Sequence, residues 1–185
     1  RIGPVFSQLY GQTECYPVSV LRKAVDDPKT PELFLSCGFP IASCQVKILD
    51  HDDQEVATGE AGEICVRASH VMAEYWKRPD SAAETLRSGW LHTGDIARKD
   101  ERGYMFILDR KKDMIVSGGF NIFPREVEDV LSQHADVAMV AVVGVPDDKW
   151  GEAVTAVIVA REGARPNADE LINLVKAKKG SAHAP

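Results

Sequence analysis

The sequence predicts an α+β protein in two parts, a β-rich portion over residues 1–110 and a small α+β unit over 111–185. Three observations predict it. Short segments rich in β-branched or aromatic residues, bounded by turn formers, recur through the first part. After Asp113 the texture changes to strand, helix, strand, strand, helix, the pattern of a small two-layer unit. The charged run Arg110-Lys111-Lys112-Asp113 separates the two apolar patterns and marks the boundary.

Taken in order, Gln45–Asp50, Gly62–Arg67 and Gly103–Leu108 read as strands of a partly exposed sheet. Asp50-His51-Asp52-Asp53 and Lys99-Asp100-Glu101-Arg102-Gly103 have the polar turn chemistry to reverse the chain. Between them Ser81-Ala82-Ala83-Glu84 matches a capping box opening a short helix, and Gly89 is expected to stop it. Pro124 suits the first turn of the next helix, where Val127, Val130 and Leu131 form an i, i+3, i+4 stripe. Val137–Val143 and Ala153–Ala160 are nearly continuous apolar runs, expected of strands buried on both faces. Asn167 with Glu170 opens a last amphipathic helix carrying Leu171, Leu174 and Val175 on one side. No internal repeat interrupts this order.

The bulk properties exclude several functions. With 185 residues, 44% hydrophobic and 27% charged, the chain has the balance of a globular protein able to bury a core. A formal net charge of -6 and no long basic run argue against a nucleic-acid surface. No apolar stretch approaches the roughly 20 residues needed to cross a bilayer. The four cysteines lack CxxC spacing and the five histidines are scattered, so neither a zinc site nor a disulfide framework is expected and a reducing cytoplasm is. The chain begins with Arg1, has no secretory signal and ends without a helix or strand pattern, so truncation at both ends is expected.

Four segments stand out. Tyr10-Gly11-Gln12-Thr13-Glu14 follows the apolar Val5–Leu9 stretch. Its glycine lets backbone approach a ligand, its threonine can bond a phosphate oxygen, and Glu14 can hold Mg²⁺. A strand-end turn with polar decoration has the same residues. Gly89-Trp90-Leu91-His92-Thr93-Gly94-Asp95 suits a loop whose Asp accepts from a ribose diol, or a glycine-bounded turn with Trp90 as a packing anchor. Asp109-Arg110-Lys111-Lys112-Asp113 is either a solvated turn or a hinge, with Arg110 able to reach a nucleotide. Ser117-Gly118-Gly119-Phe120-Asn121-Ile122-Phe123-Pro124 is a tight strand-to-helix connection or a backbone path for a thin ligand. It has neither the dinucleotide fingerprint nor a phosphate-loop Gly-Lys-Ser/Thr.

All four occur in one order, joined by Gly62-Glu63-Ile64-Cys65-Val66-Arg67 and Val71-Met72-Ala73-Glu74-Tyr75-Trp76. Together they resemble the adenylate-forming superfamily of acyl-CoA synthetases, peptide-synthetase adenylation domains and firefly luciferase, over essentially the whole chain. The resemblance implies that residues 1–110 are the distal portion of a large AMP-binding domain with a distorted barrel-like sheet. Residues 111–185 would be an incomplete small mobile lid domain. It implies ATP, Mg²⁺ and coenzyme A as cofactors and a small carboxylic acid as substrate. The reaction would be carboxylate plus ATP to acyl-AMP, then acyl transfer to CoA with release of AMP.

Residue by residue, Tyr10 and Gly11 would line the adenine and acyl pocket, Thr13 would contact the α-phosphate and Glu14 would help hold Mg²⁺. Asp95 would grip the ribose, and Arg110 would support ribose or phosphate. Lys112 stands at the family's hinge. Gly118 and Gly119 would line the pantetheine tunnel, with Trp150 at the CoA side. Trp90-Leu91-His92-Thr93-Gly94-Asp95, Asp109–Asp113 and Ser117–Pro124 look like fatty-acyl and aryl ligases rather than peptide-synthetase modules. A fatty acid is the preferred acid. Aryl-CoA ligases, other adenylate-forming enzymes and a non-catalytic binding module are the alternatives, and a homodimer stays open.

The family's upstream phosphate loop and its C-terminal adenylation lysine have no counterpart here, since Lys176, Lys178 and Lys179 come too early. The 185 residues alone are therefore expected to be inactive. Purified chain should show no ATP–pyrophosphate exchange above background, and measurable exchange would refute this.

Overall fold

A computed structural model describes residues 7–22 and 31–185, so part of the Val5–Leu9 stretch lies outside the described residues. The chain divides into two compact units, Arg1–Leu108 and Asp109–Pro185. Each has its own core.

In the first unit, β1 (Gln8–Gln12) and β2 (Cys15–Leu21) form an antiparallel hairpin, and β3 (Phe39–Pro40) pairs with β2. Thr13 and Glu14 make its two-residue turn, with Gln12 opposite Cys15. The register shifts between Tyr10 and Gln12, so that Gly11 alone faces a bulge of three residues, Tyr16–Val18, on β2. A Cβ at Gly11 would lie 2.8 Å from both the Cys15 carbonyl oxygen and the Tyr16 ring, so tight packing already demands glycine there.

A second sheet holds β4 (Cys44–Leu49), β5 (Gly62–Ala68), β6 (Leu91–Lys99) and β7 (Met105–Arg110), in that spatial order. Among the described residues it is open rather than closed into a barrel. Three of these strands match the sequence expectation to within about two residues, but β6 does not. Glycine, histidine, threonine and aspartate suggested a loop, yet the segment pairs antiparallel with β5, Cys65 opposite His92 and Gly62 opposite Ala97. A register shift between Glu63 and Cys65 absorbs Gly94 at φ +73°. Val18 of β2 packs with Ile48, Ile64, Val66, Leu91 and Met105 in the core of this unit.

The short helix α1 (Pro79–Thr85) corrects the capping-box expectation. Ser81 lies inside the helix, and the cap position is Arg78, with no side-chain cap bond. Pro79, with φ already fixed for a first turn, starts the helix earlier than the serine would. Gly89 does not end it either, because a separate 3₁₀ turn over Arg87–Gly89 intervenes.

The second unit starts with a hairpin, β8 (Ile115–Ser117) and β9 (Phe120–Ile122), continues through α2 (Pro124–Leu131) into the long hairpin β10 (Val137–Asp147) and β11 (Gly151–Ala160), and ends in α3 (Ala168–Lys179). Its four-stranded sheet runs β10-β11-β8-β9. Pro124 opens α2 as expected, and the Asn167 side chain accepts from the Asp169 amide at 2.8 Å to cap α3. Glu170 completes no capping box; its carboxylate lies 3.3 Å from His134 Nε2.

The core consists of Val127, Val130 and Leu131 of α2, Leu171 and Val175 of α3, and Ile115, Ile122, Val137, Val142 and Val154 of the sheet. Both helices thus contribute to one core, and the expectation that β10 and β11 are buried on both faces is wrong. Met139, Val143, Val145, Val157 and Val159 are exposed, Met139 at 69%. A continuous apolar run does not say how many layers cover it.

Leu131 is fully buried among these residues. Leu131→Ala should cost about 2–5 kcal/mol by loss of transfer energy and a residual cavity, read from denaturant unfolding of the second unit. A change below about 0.5 kcal/mol, the usual scale of surface substitutions, would contradict this core.

Candidate active site

The first two motif segments, far apart in sequence, meet in the first unit. The Tyr10 hydroxyl donates to Asp95 Oδ2 at 2.7 Å, joining β1 to β6. Gln12 Nε2 donates to the Thr93 carbonyl oxygen at 3.3 Å beside it. Burial, and then the Asp95 carboxylate, push the Tyr10 phenol well above its ordinary range, so it keeps its proton and acts as donor.

Asp95 is held from its own strand as well. Thr93 Oγ1 donates to the Ile64 carbonyl oxygen at 2.8 Å and accepts from the Asp95 amide at 3.1 Å. The Gly94 amide donates to Glu63 Oε1 at 2.9 Å. Glu63 is only 5% exposed, and its second oxygen faces His92 Nδ1 at 3.3 Å and Arg87 at 3.5 Å. A Cβ built on Gly94 meets nothing within 4 Å, so the backbone there borders open space. Trp90 serves packing: the Arg67 guanidinium sits 4.4 Å from its ring centroid while donating to the Gly89 carbonyl oxygen.

Glu14 sits at the hairpin turn. Its Oε1 accepts from the Tyr75 hydroxyl at 2.6 Å, and its carbonyl oxygen accepts from the Met72 amide at 2.7 Å. Burial, and then the bond to Glu14, raise the Tyr75 phenol above its ordinary value. The Val71–Trp76 stretch is thereby the segment that fixes the Glu14 carboxylate. Thr13 is exposed at the same turn.

In the second unit Arg110, Lys111 and Lys112 are exposed, and Lys111–Asp113 form one 3₁₀ turn. Asp109 anchors it: Oδ1 accepts from the Arg110 amide at 2.8 Å and Oδ2 from the Arg125 amide, in the first turn of α2, at 3.1 Å. Lys112 lines a polar depression of about 470 Å³ with Asp109, Asp113, Arg125, Glu128 and Glu152.

Gly118 and Gly119 form the β8–β9 turn, with φ of +56° and +84°, which L-residues rarely adopt. This corrects their placement as a strand-to-helix connection. The structure also brings Gly118 to Trp150: the Gly118 amide donates to the Trp150 carbonyl oxygen at 2.9 Å, and a Cβ at Gly118 would lie 2.9 Å from the indole. Trp150 is half-exposed, with Lys149 Nζ 4.4 Å from its ring centroid. Lys178 and Lys179 bond Gln133 and Glu126, which ties α3 to α2.

Sequence reasoning missed Glu63, Asp109 and the positioning role of Tyr75. A lone carboxylate opening the apolar run Glu63-Ile64-Cys65-Val66 was the available signal for the first.

Two family models match: AMP-binding enzyme over residues 1–76, and AMP-binding enzyme C-terminal domain over residues 126–185. The chain belongs to the AMP-binding, adenylate-forming enzyme family. Within it, the medium/long-chain-fatty-acid–CoA ligase FadD8 of Mycobacterium tuberculosis is 48% identical over 193 residues, covering all of this chain and 33% of that protein. A long-chain-fatty-acid–CoA ligase of Salmonella typhimurium is 51% identical over 163 residues, covering 88% of this chain and 28% of that protein. The o-succinylbenzoate CoA synthetase of Bacillus subtilis, solved in complex with its acyl-adenylate intermediate, superposes with a TM-score of 0.83 at 37% identity, covering 97% of this chain and 36% of that one. The chain therefore spans about a third of the length of the curated relatives it matches. Among the described residues no helix is long and apolar enough to cross a membrane.

The folded protein holds the Tyr10 proton more tightly than the unfolded chain does. The stability this group contributes is therefore complete below the ordinary phenol value of 10.0 and declines as pH rises past it. Tyr10→Phe should flatten the alkaline limb of stability against pH, measured by denaturant unfolding. An unchanged limb would contradict a half-buried, proton-holding phenol.

Proposed function

We propose that these residues serve an ATP-dependent, AMP-forming acyl-CoA ligase acting on a fatty acid in the cytoplasm. In this reading residues 1–110 belong to the large AMP-binding domain and 111–185 to the small C-terminal domain. The observation that carries it is the 2.7 Å bond from Tyr10 to Asp95. It joins two of the segments that resemblance assigns to the nucleotide, in a chain 48–51% identical to fatty-acid–CoA ligases.

The chemistry is activation. A substrate carboxylate oxygen bonds to the α-phosphorus of ATP, and the bond to pyrophosphate breaks. The CoA sulfur then bonds to the acyl carbon, and AMP leaves with the bonding electrons. The protein's part is positioning and charge stabilisation. Asp95, oriented by the Gly94 and Thr93 bonds and by Tyr10, would accept from the ribose hydroxyls. Thr13, exposed at the hairpin turn, would donate to an α-phosphate oxygen. Glu14, oriented by Tyr75, would hold Mg²⁺, which offsets phosphate charge. Arg110 would pair with ribose or phosphate oxygens. Gly118, Gly119 and Trp150 would flank the pantetheine arm of CoA, where a Cβ at Gly119 meets nothing within 4 Å. Lys112 would be the hinge between the two half-reactions.

In the full-length protein carrying this chain, Asp95→Ala should lower kcat/KM for ATP roughly ten- to a hundredfold, the scale of a lost charged hydrogen bond. Lys112→Pro should leave adenylate formation largely intact and depress thioester formation, because proline restricts the backbone rotation a hinge needs. Unchanged ATP kinetics in the first variant, or equal loss of both half-reactions in the second, would remove those assignments. AMP release with CoA across a panel of acids tests the substrate class, and a preference for aromatic over long aliphatic acids would overturn it.

A further inference from the structure

Cysteine spacing along the chain gives no reason to expect a metal, yet folding gathers two thiols beside an imidazole. Cys15 opens β2, Cys44 opens β4, and His70 lies in the turn after β5. One ligand atom from each lies within 4.8 Å of the other two. Cys44 Sγ is 3.7 Å from His70 Nε2. Tetrahedral zinc, with Zn–S about 2.3 Å and Zn–N about 2.0 Å, holds sulfur and nitrogen ligands about 3.6 Å apart and two sulfurs about 3.8 Å apart. The Cys44–His70 separation is at that spacing already, and Cys15 Sγ lies within 4.8 Å of both.

We propose that Cys15, Cys44 and His70 form a binding site for a soft divalent cation of the zinc class. Two sulfurs and one imidazole nitrogen are the donor set such cations prefer over magnesium or calcium. The Pro17 carbonyl oxygen lies 3.0 Å from His70 Nε2 and 3.6 Å from Cys44 Sγ, where it accepts hydrogen bonds from the ring and the thiol in the metal-free protein. A cation displaces the Cys15 and Cys44 thiol protons while the neutral ring keeps its proton on Nδ1, and water or this oxygen takes the fourth position. His70 is exposed and gives an entry path, whereas Cys15 and Cys44 are buried and shield the bound ion.

Charge and protons balance. Burial, and then the neighbouring Cys44, push the Cys15 thiol up to about 11, and burial raises that of Cys44. The divalent cation enters as the two thiol protons leave, so charge is conserved on binding. A second cluster among the described residues, Glu63, Cys65 and His92, does not qualify. Its members are all buried, and Glu63 already accepts from Gly94 while facing His92 and Arg87.

The location gives the site consequence. Cys15 directly follows Glu14, and the segment carrying His70 also carries Met72 and Tyr75, which bond the Glu14 carbonyl and carboxylate. A bound cation would pin that segment to β2 beside Glu14.

The direct test is titration of the reduced chain with Cd²⁺, followed by its thiolate-to-metal ultraviolet absorbance, with Zn²⁺ as competitor. One equivalent should saturate the band, Zn²⁺ should abolish it, and Tm should rise with metal. His70→Ala, an exposed change that leaves the core intact, should weaken affinity by at least the roughly 10–100-fold that loss of an outer-shell partner costs. Cys44→Ser should reduce the band to a single thiolate's intensity, and Cys37→Ala should leave it unchanged. No band at one equivalent, or full affinity in His70→Ala together with full intensity in Cys44→Ser, would overturn the site.

Discussion

The hydrogen bond from the Tyr10 phenol to the Asp95 carboxylate is the constraint on which the candidate site depends. It fixes the separation between the β1–β2 hairpin, which carries Thr13 and Glu14 at its tip, and the β6 strand that carries Asp95. It works only if the phenol keeps its proton, and partial burial beside a carboxylate ensures this. It also needs Asp95 to face the hairpin, which Glu63 secures by holding the Gly94 amide from the neighbouring strand. An unpaired buried carboxylate would be costly, and Glu63 is offset by His92, Arg87 and the Gly94 amide together. The polar network beneath the site is therefore what positions it.

Much of the fold was legible in the sequence, and the failures have definite causes. Strands β4, β5 and β7 follow from β-branched residues between turn formers, and α2 and α3 from periodicity with Pro124 and Asn167 at their starts. Strand β6 escaped because His92, Gly94 and Asp95 are poor strand formers whose pairing is imposed by β5. The first helix was misplaced because a proline two residues before Ser81 outranks a capping box. The exposed face of β10 and β11 could not be read from composition, since helix placement on one side is a tertiary fact.

At the candidate site, sequence singled out segments that folding brings together in part, Tyr10–Glu14 with Thr93–Asp95, without showing which side chains position the others. Gly11 suggested close approach to a ligand, and its packing against Cys15 and Tyr16 explains the residue without one. Gly118 likewise meets a turn requirement at φ +56° and lies against Trp150, so one glycine serves both a hairpin and a candidate CoA surface. Tyr75 and Asp109 were invisible because a positioning residue is defined by its partner, Glu14 in one case and the Arg125 amide in the other. The same holds for Cys15, Cys44 and His70, whose separations along the chain conceal a cluster made only by packing.

Hydrogen–deuterium exchange of the full-length protein carrying this chain, with and without a non-hydrolysable acyl-adenylate analogue, tests the central claim most directly. The account predicts that the analogue slows exchange together in the Gln8–Glu14 hairpin and in Leu91–Ala97, because one hydrogen-bonded unit holds the nucleotide. Protection confined to other segments, with both of these unchanged, would contradict it.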